Sequence, residues 1–278
     1  MGTLRCEAMQ LLRRVRVGMN LAVILGFRDW HVHHLVNCLW SLSLGWLCEV
    51  PVIVVDFGCT EYYAKAVKMI TSEFNMTLVR VEAPGWSRAR ALNIGARAAQ
   101  EWPGVETFVF TDADMLFPPS WAPTVAKQLP VPGLLLTHSR DLPEAYITGD
   151  RIARSDRLAN EEWLLAQTTP HPDVGQGAAM VVPRRWFEYV RGFDETYSIW
   201  AAEDNDLVLR AQWSGLPVAW LEGTFVVHQE HPRDWATPAQ LEQVRRNREY
   251  LLARMAEQGP VVRNPEGWGG QSRRPEEL

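Results

Sequence analysis

The chain has 278 residues, 47% of them hydrophobic, which is enough for one large domain or two small ones around a sizeable core. A net charge of −5 excludes a global electrostatic pull toward nucleic acid or anionic lipid, so an anionic ligand needs a local cluster of Arg, Lys or metal. No run approaches the ~20 apolar residues of a membrane span, and four scattered cysteines (Cys6, Cys38, Cys48, Cys59) form no C-x-x-C pair.

Residues 1–19 carry Arg5, Arg13, Arg14 and Arg16, a basic segment suited to weak peripheral membrane contact. The apolar run 21–27 is too short for a signal-peptide core, so a cytoplasmic protein with reduced thiols is expected. That run reads as a buried strand, followed by a helix at 31–47. A second strand at 51–56 leads into a helix at 61–74, and a third at 77–81 leads into an Ala- and Arg-rich helix at 87–100. A fourth strand at 107–111 ends at Asp112-Ala113-Asp114. This alternation predicts an α/β, Rossmann-like fold: a mostly parallel twisted sheet with helices on both faces. Ligands of such sheets bind at the carboxyl ends of the strands, where Arg28, Asp56, Asp112 and Asp114 fall.

The second half is less regular. A strand at 134–137, a helix near 156–166 and an apolar run at 178–182 precede helices at 183–190 and 203–214. A strand at 225–227 ends at His228, and a long charged helix follows at 238–258. Part of 139–172 is expected to form a mobile lid, and the Gly-, Pro- and Arg-rich tail from 259 is expected to be flexible. Residues 20–235 read as one unit, with halves 20–115 and 116–235, followed by a C-terminal helix and tail at 236–278.

Asp112-Ala113-Asp114 sets two carboxylates at a strand end, a pattern suited to Mn²⁺ or Mg²⁺ and thus to diphosphate oxygens. Trp200-Ala201-Ala202-Glu203-Asp204-Asn205-Asp206 opens a helix with more acids than capping requires. The surplus suggests a general base. Gly177, in Gly175-Gln176-Gly177, permits close approach to a ligand or a tight strand entry. Trp200 could stack on a sugar face or plug the core. His31, His33 and His34 read as a packed or surface set rather than a metal cluster.

Six ordered blocks between 20 and 231 resemble GT-A glycosyltransferases of family 2 and the related galactosyltransferase and N-acetylgalactosaminyltransferase families. Phe27-Arg28-Asp29-Trp30 resembles a strand ending of β-1,4-galactosyltransferases. Val54-Val55-Asp56-Phe57-Gly58 is similar to a uracil-contacting segment. Trp86 to Gly95 resembles a block of chondroitin-polymerase-like enzymes, and Asp112-Ala113-Asp114 resembles the family metal motif. Arg191-Gly192-Phe193-Asp194-Glu195 with Trp200 to Asp206 resembles the "GFDE…WGGED" block. The resemblance implies that Asp56 meets the base and that Arg28, Arg88 and Asn93 line the nucleotide pocket. It implies that Asp112 faces ribose and metal, that Asp114 and His228 bind the metal with His231 as the alternative, that Glu203 holds a sugar and that Asp204 is the base. It further implies a UDP-linked donor. The acceptor stays open between a glycan, a lipid-linked intermediate, a small molecule and a peptide.

The sequence departs from that block in carrying Ala201 and Ala202 where the family has two glycines, an added cost wherever positive φ is needed. Three other readings stay open: a retaining transferase on the same fold, a non-catalytic GT-A-like binding protein, and nucleotidyl transfer. The last normally uses a Gly-rich basic loop after the first strand, which Leu25-Gly26-Phe27-Arg28-Asp29 lacks.

Overall fold

A computed structural model describes residues 20–45, 50–129, 133–146, 156–172, 176–231 and 236–270. The basic segment 1–19, Cys6, Cys48 and Gly175 lie outside the described residues. The strands are β1 (Leu21–Phe27), β2 (Val52–Phe57), β3 (Thr77–Val81), β4 (Thr107–Asp112), β5 (Met115–Leu116) and β6 (Leu134–Leu136), then β7 (Ser139–Leu142), β8 (Thr169–Pro170), β9 (Ala179–Pro183), β10 (Val218–Trp220) and β11 (Val226–Gln229). The helices are α1 (Val32–Gly45), α2 (Glu61–Glu73), α3 (Arg88–Ala99), α4 (Trp121–Gln128), α5 (Glu161–Gln167), α6 (Arg184–Tyr189), α7 (Glu203–Trp213) and α8 (Pro238–Glu257).

Seven strands form one sheet in the order β10-β6-β9-β4-β1-β2-β3. Neighbours β4, β1, β2 and β3 pair in parallel, as do β6 and β10, while β9 runs antiparallel between β4 and β6. The expected α/β architecture is therefore present, with one reversed strand. Alternation of side chains along each strand explains the two cores. Leu21, Val23 and Leu25 of β1 pack with Leu35 and Leu39 of α1, and Ala22 and Ile24 pack on the other face with Ala91 and Leu92 of α3. Cys38 and Cys59 are free and buried, small apolar fillers of these cores.

A second sheet, in the order β5-β11-β7-β8, sits beyond the end of β4. The strand expected at 225–227, ending at His228, is β11, and it contains His228. Two- to four-residue strands carry too little alternation to be read as a sheet, so β5, β7 and β8 were not anticipated.

The tail beyond α8 is described as far as residue 270. Residues 259–270 pack instead of projecting: Trp268 is buried, its ring lies edge-on to Phe187, and the Arg97 guanidinium stacks 3.9 Å above it. Arg263 pairs with Asp194 at 3.2 Å. A single large aromatic side chain outweighs the surrounding turn-forming composition.

Candidate active site

Arg88 is the hub of the site. Ser87 caps α3 by accepting from the Arg90 amide, which sets Arg88 at the first helical position. Loop 198–202 is stitched to this point, because Arg88 N donates to Ile199 O and Ile199 N to Trp86 O, both at 3.0 Å. The start of α7 is thereby held against the start of α3. The buried guanidinium then reaches three segments at once: Asp112 Oδ1 at 2.5 Å, Glu203 Oε1 at 3.1 Å and the Gly177 carbonyl at 2.9 Å. Burial opposes its charge, but Asp112, Glu203 and Asp204 outweigh that and raise its pKa.

The three acids that open α7 divide their work. Glu203 turns inward to Arg88; burial pushes its pKa up to about 7 despite that partner, and its Oε2 is buried without a hydrogen bond. Asp206 is fully buried and pairs with Arg210 one turn on, at 2.6 Å. Asp204 accepts from the Asn205 amide through Oδ1, and its Oδ2 lies so close over Gly177 that a Cβ there would stand 2.4 Å away. A side chain at 177 would therefore displace the Asp204 carboxylate and crowd Arg88, whose Nη2 would be 3.3 Å from that Cβ. Ala201 and Ala202 sit at φ 81° and 76°, so the two departures from the glycine pattern fall on left-handed backbone.

A cation-competent group lies next to this hub. Ligand atoms of Asp114, His228 and His231 are within 4.8 Å of one another. Asp114 Oδ2 is 3.8 Å from His228 Nε2 and 3.6 Å from His231 Nε2. Burial works against the Asp114 charge, yet His231 and His228 hold its pKa below the usual value. Asp114 Oδ1 is buried with no hydrogen-bond partner, an unmet acceptor of the kind a metal satisfies. One carboxylate and two imidazoles form a donor set that suits a divalent transition metal, Mn²⁺ among them. His231, expected only as the alternative ligand, falls in this group, while Asp112, expected at the metal, pairs through Oδ1 with Arg88. Trp30 packs edge-on to His231 with ring centroids 4.5 Å apart, and His34 lies 6.1 Å from it. His31, His33 and His34 form ring contacts with one another, as a packed set would.

Residues 173–232 match a family described as the N-terminal domain of galactosyltransferase. Over 231 residues the chain is 24% identical to a chondroitin synthase from Escherichia coli, covering 69% of this chain and 33% of that protein. It thus spans about a third of the length of that curated relative. A crystal structure of GalNAc-T7 with UDP, GalNAc and Mn²⁺ superposes with a TM-score of 0.61 at 14% identity, covering 88% of this chain and 52% of the other. The mannosyltransferase PcManGT from Pyrobaculum calidifontis, in complex with GDP-Man and Mn²⁺, superposes at 0.55 and 16% identity, covering 93% and 84%. This is the GT-A glycosyltransferase fold.

Within the GT-A fold, not every residue expected in the pocket faces it. Asn93 is fully buried; it donates to Phe193 O and Glu195 Oε1 and accepts from Phe193 N, so it pins the 192–195 turn. Asp56 is also fully buried, with Oδ1 accepting from Cys59 N at 2.9 Å and Oδ2 paired to Arg80 at 3.3 Å. It shapes the turn after β2. Arg28 straps the ends of β2 and β3 by donating to Phe57 O and Ala83 O. Buried polar groups must be paired, and for Asn93 and Asp56 the pairing is internal; Arg28 is half-buried. Trp200 is half-buried, and its carbonyl is fixed by Asn247 of α8, which also holds Ser198 O. Two residues that the sequence did not single out stand beside the Asp114–His228–His231 group: Asp141 and His171. They lie on or next to the short strands β7 and β8, where no pattern marked them. No helix among the described residues is long and apolar enough to cross a membrane.

Proposed function

We propose that this chain is a metal-dependent glycosyltransferase that moves a hexose or N-acetylhexosamine from a UDP-linked donor to a hydroxyl acceptor with inversion. The observation that carries the reading is the Asp114–His228–His231 group, with its unmet Asp114 oxygen, set against the Arg88 hub at the strand ends of a GT-A fold. Asp114, His228 and His231 would hold Mn²⁺, or Mg²⁺ in its place. A bound metal supplies neutralisation of the charge that develops on the departing nucleoside diphosphate.

The protein's own groups do the rest. Arg88, kept charged by its carboxylates, fixes Asp112 and Glu203 and so pre-organises the floor of the pocket. Glu203 is too enclosed to exchange protons with an acceptor and serves as a hydrogen-bonding wall. Asp204, at the open side of the α7 start, takes the proton of the attacking hydroxyl. Gly177, without a side chain, leaves room for that carboxylate. The proposed UDP preference and the acceptor classes (glycan, lipid-linked or small-molecule) rest on the family resemblance.

Calorimetric titration of UDP, with and without Mn²⁺, into the native chain and Asp114→Ala tests this. We expect binding that requires Mn²⁺ and is lost in the variant. Tight GDP binding without UDP binding would replace the donor, and absence of UDP, GDP and dTDP binding would sink the transferase reading.

A further inference from the structure

We propose that Asp141 is a positioning residue of the metal centre, anchored by His171, and that it keeps His228 in the one tautomer that can ligate. This rests on the reading of Asp114, His228 and His231 as the metal ligands. The parallel register of β7 and β11 sets Asp141 directly beside His228. Asp141 Oδ1 lies 2.9 Å from His228 Nδ1. From the other side, β8 pairs antiparallel with β7, and His171 follows it with its amide donating to Ser139 O at 3.1 Å. His171 Nδ1 stands 2.8 Å from both Asp141 oxygens. One carboxylate is therefore held between two imidazoles.

An ionised carboxylate only accepts hydrogen bonds, so each ring must present Nδ1–H to it. For His228 this leaves Nε2 as the bare nitrogen, and Nε2 is the atom aimed at Asp114. In the other tautomer Nε2 would carry the proton and could not bind a cation. The carboxylate also makes the imidazole a stronger donor to a metal, the usual effect of such an outer partner. His171 restrains Asp141 from rotating away, since it engages both oxygens.

The same three residues, Asp141, His171 and His228, have ligand atoms within 4.8 Å and could instead hold a cation themselves. The distances favour hydrogen bonding, because both rings already sit at ordinary donor–acceptor separation from the carboxylate.

The test is titration of Mn²⁺, alone and with UDP present, into the native chain, Asp141→Asn and His171→Gln. Calorimetry reads affinity and stoichiometry, and electron spin-echo spectroscopy reads the nitrogen modulation of bound Mn²⁺. We expect one Mn²⁺ per native chain, about 10- to 100-fold weaker binding in Asp141→Asn and a smaller loss in His171→Gln. Nitrogen modulation should fall in Asp141→Asn while its metal-free melting curve stays close to native. Native-like affinity in Asp141→Asn overturns the proposal and leaves the metal reading intact, and so do two Mn²⁺ per native chain. If native binds no Mn²⁺, both readings fall. If Asp141→Asn does not fold, His171→Gln decides: a loss beyond about threefold supports the proposal and native affinity overturns it.

Discussion

Ala201 and Ala202 both carry local strain in the site. Each holds a left-handed φ, 81° and 76°, with Ile199 at 67° just before them. An L-residue with a Cβ pays about 1–2 kcal/mol there, and glycine returns about 0.5–1 kcal/mol of that as extra unfolded-state entropy. We therefore expect Ala201→Gly and Ala202→Gly each to stabilise the chain by about 0.5–1 kcal/mol in urea unfolding, with unchanged m-values. A loss of stability in both would show that the methyl groups make compensating contacts; Ala202 is buried, so that outcome is specific. The departure from two glycines was readable from the residues alone, but the backbone angle was not. The same limit applies to Asn93 and Asp56: their types suit a pocket, and only tertiary contacts reveal that the 192–195 turn and Arg80 engage them.

At the scale of elements, the start of α7 is where sheet and helices meet. The surplus of acids there was legible, because three carboxylates exceed what one helix end needs. Their allocation was not, since it depends on Arg88 arriving from α3 and on Arg210 one turn further along α7. The raised Glu203 pKa has a consequence for stability. The folded state holds this proton up to about pH 7, whereas an ordinary glutamate releases it near 4.5. Between those values the folded chain binds more protons than the unfolded one, so stability from this group falls as pH rises, by about 1.4 kcal/mol per unit. Glu203→Gln keeps an acceptor for Arg88 and removes the titration. Its melting temperature relative to native should therefore rise between pH 5 and pH 8. A difference that does not change with pH would mean that Glu203 is ionised throughout, held by Arg88. The small second sheet shows the opposite limit of legibility. Strands of two to four residues brought Asp141, His171 and His228 together without leaving a periodic signal.

Over the whole molecule, the β-α alternation was sufficient to anticipate a mostly parallel sheet with helices on both faces, because successive apolar runs and crossover helices admit few other arrangements; the spatial order β4-β1-β2-β3 appears only in the folded chain. The antiparallel insertion of β9 and the docking of the tail were not anticipated, since both depend on contacts distant in sequence. That tail belongs to the support of the acidic loop. Asp194 caps the Thr196 amide, accepts from Tyr250 of α8 and pairs with Arg263, while Asn264 donates to Arg191 O and Phe193 O. Trp268 closes this assembly against Phe187 and Arg97. Trp268→Ala should cost about 3–5 kcal/mol, the range for emptying a buried aromatic site. The proposed metal group lies elsewhere, on the β4–β5 turn and β11 with the residues after it, so Mn²⁺ affinity measured on the folded fraction should stay within about twofold of native, as expected for sites that share no partners. Unfolding followed by denaturant together with Mn²⁺ titration below the transition separates the two quantities. Loss of Mn²⁺ binding at full foldedness would show that the α8–tail assembly and the metal group form one coupled unit, and the support role would then extend across both sheets.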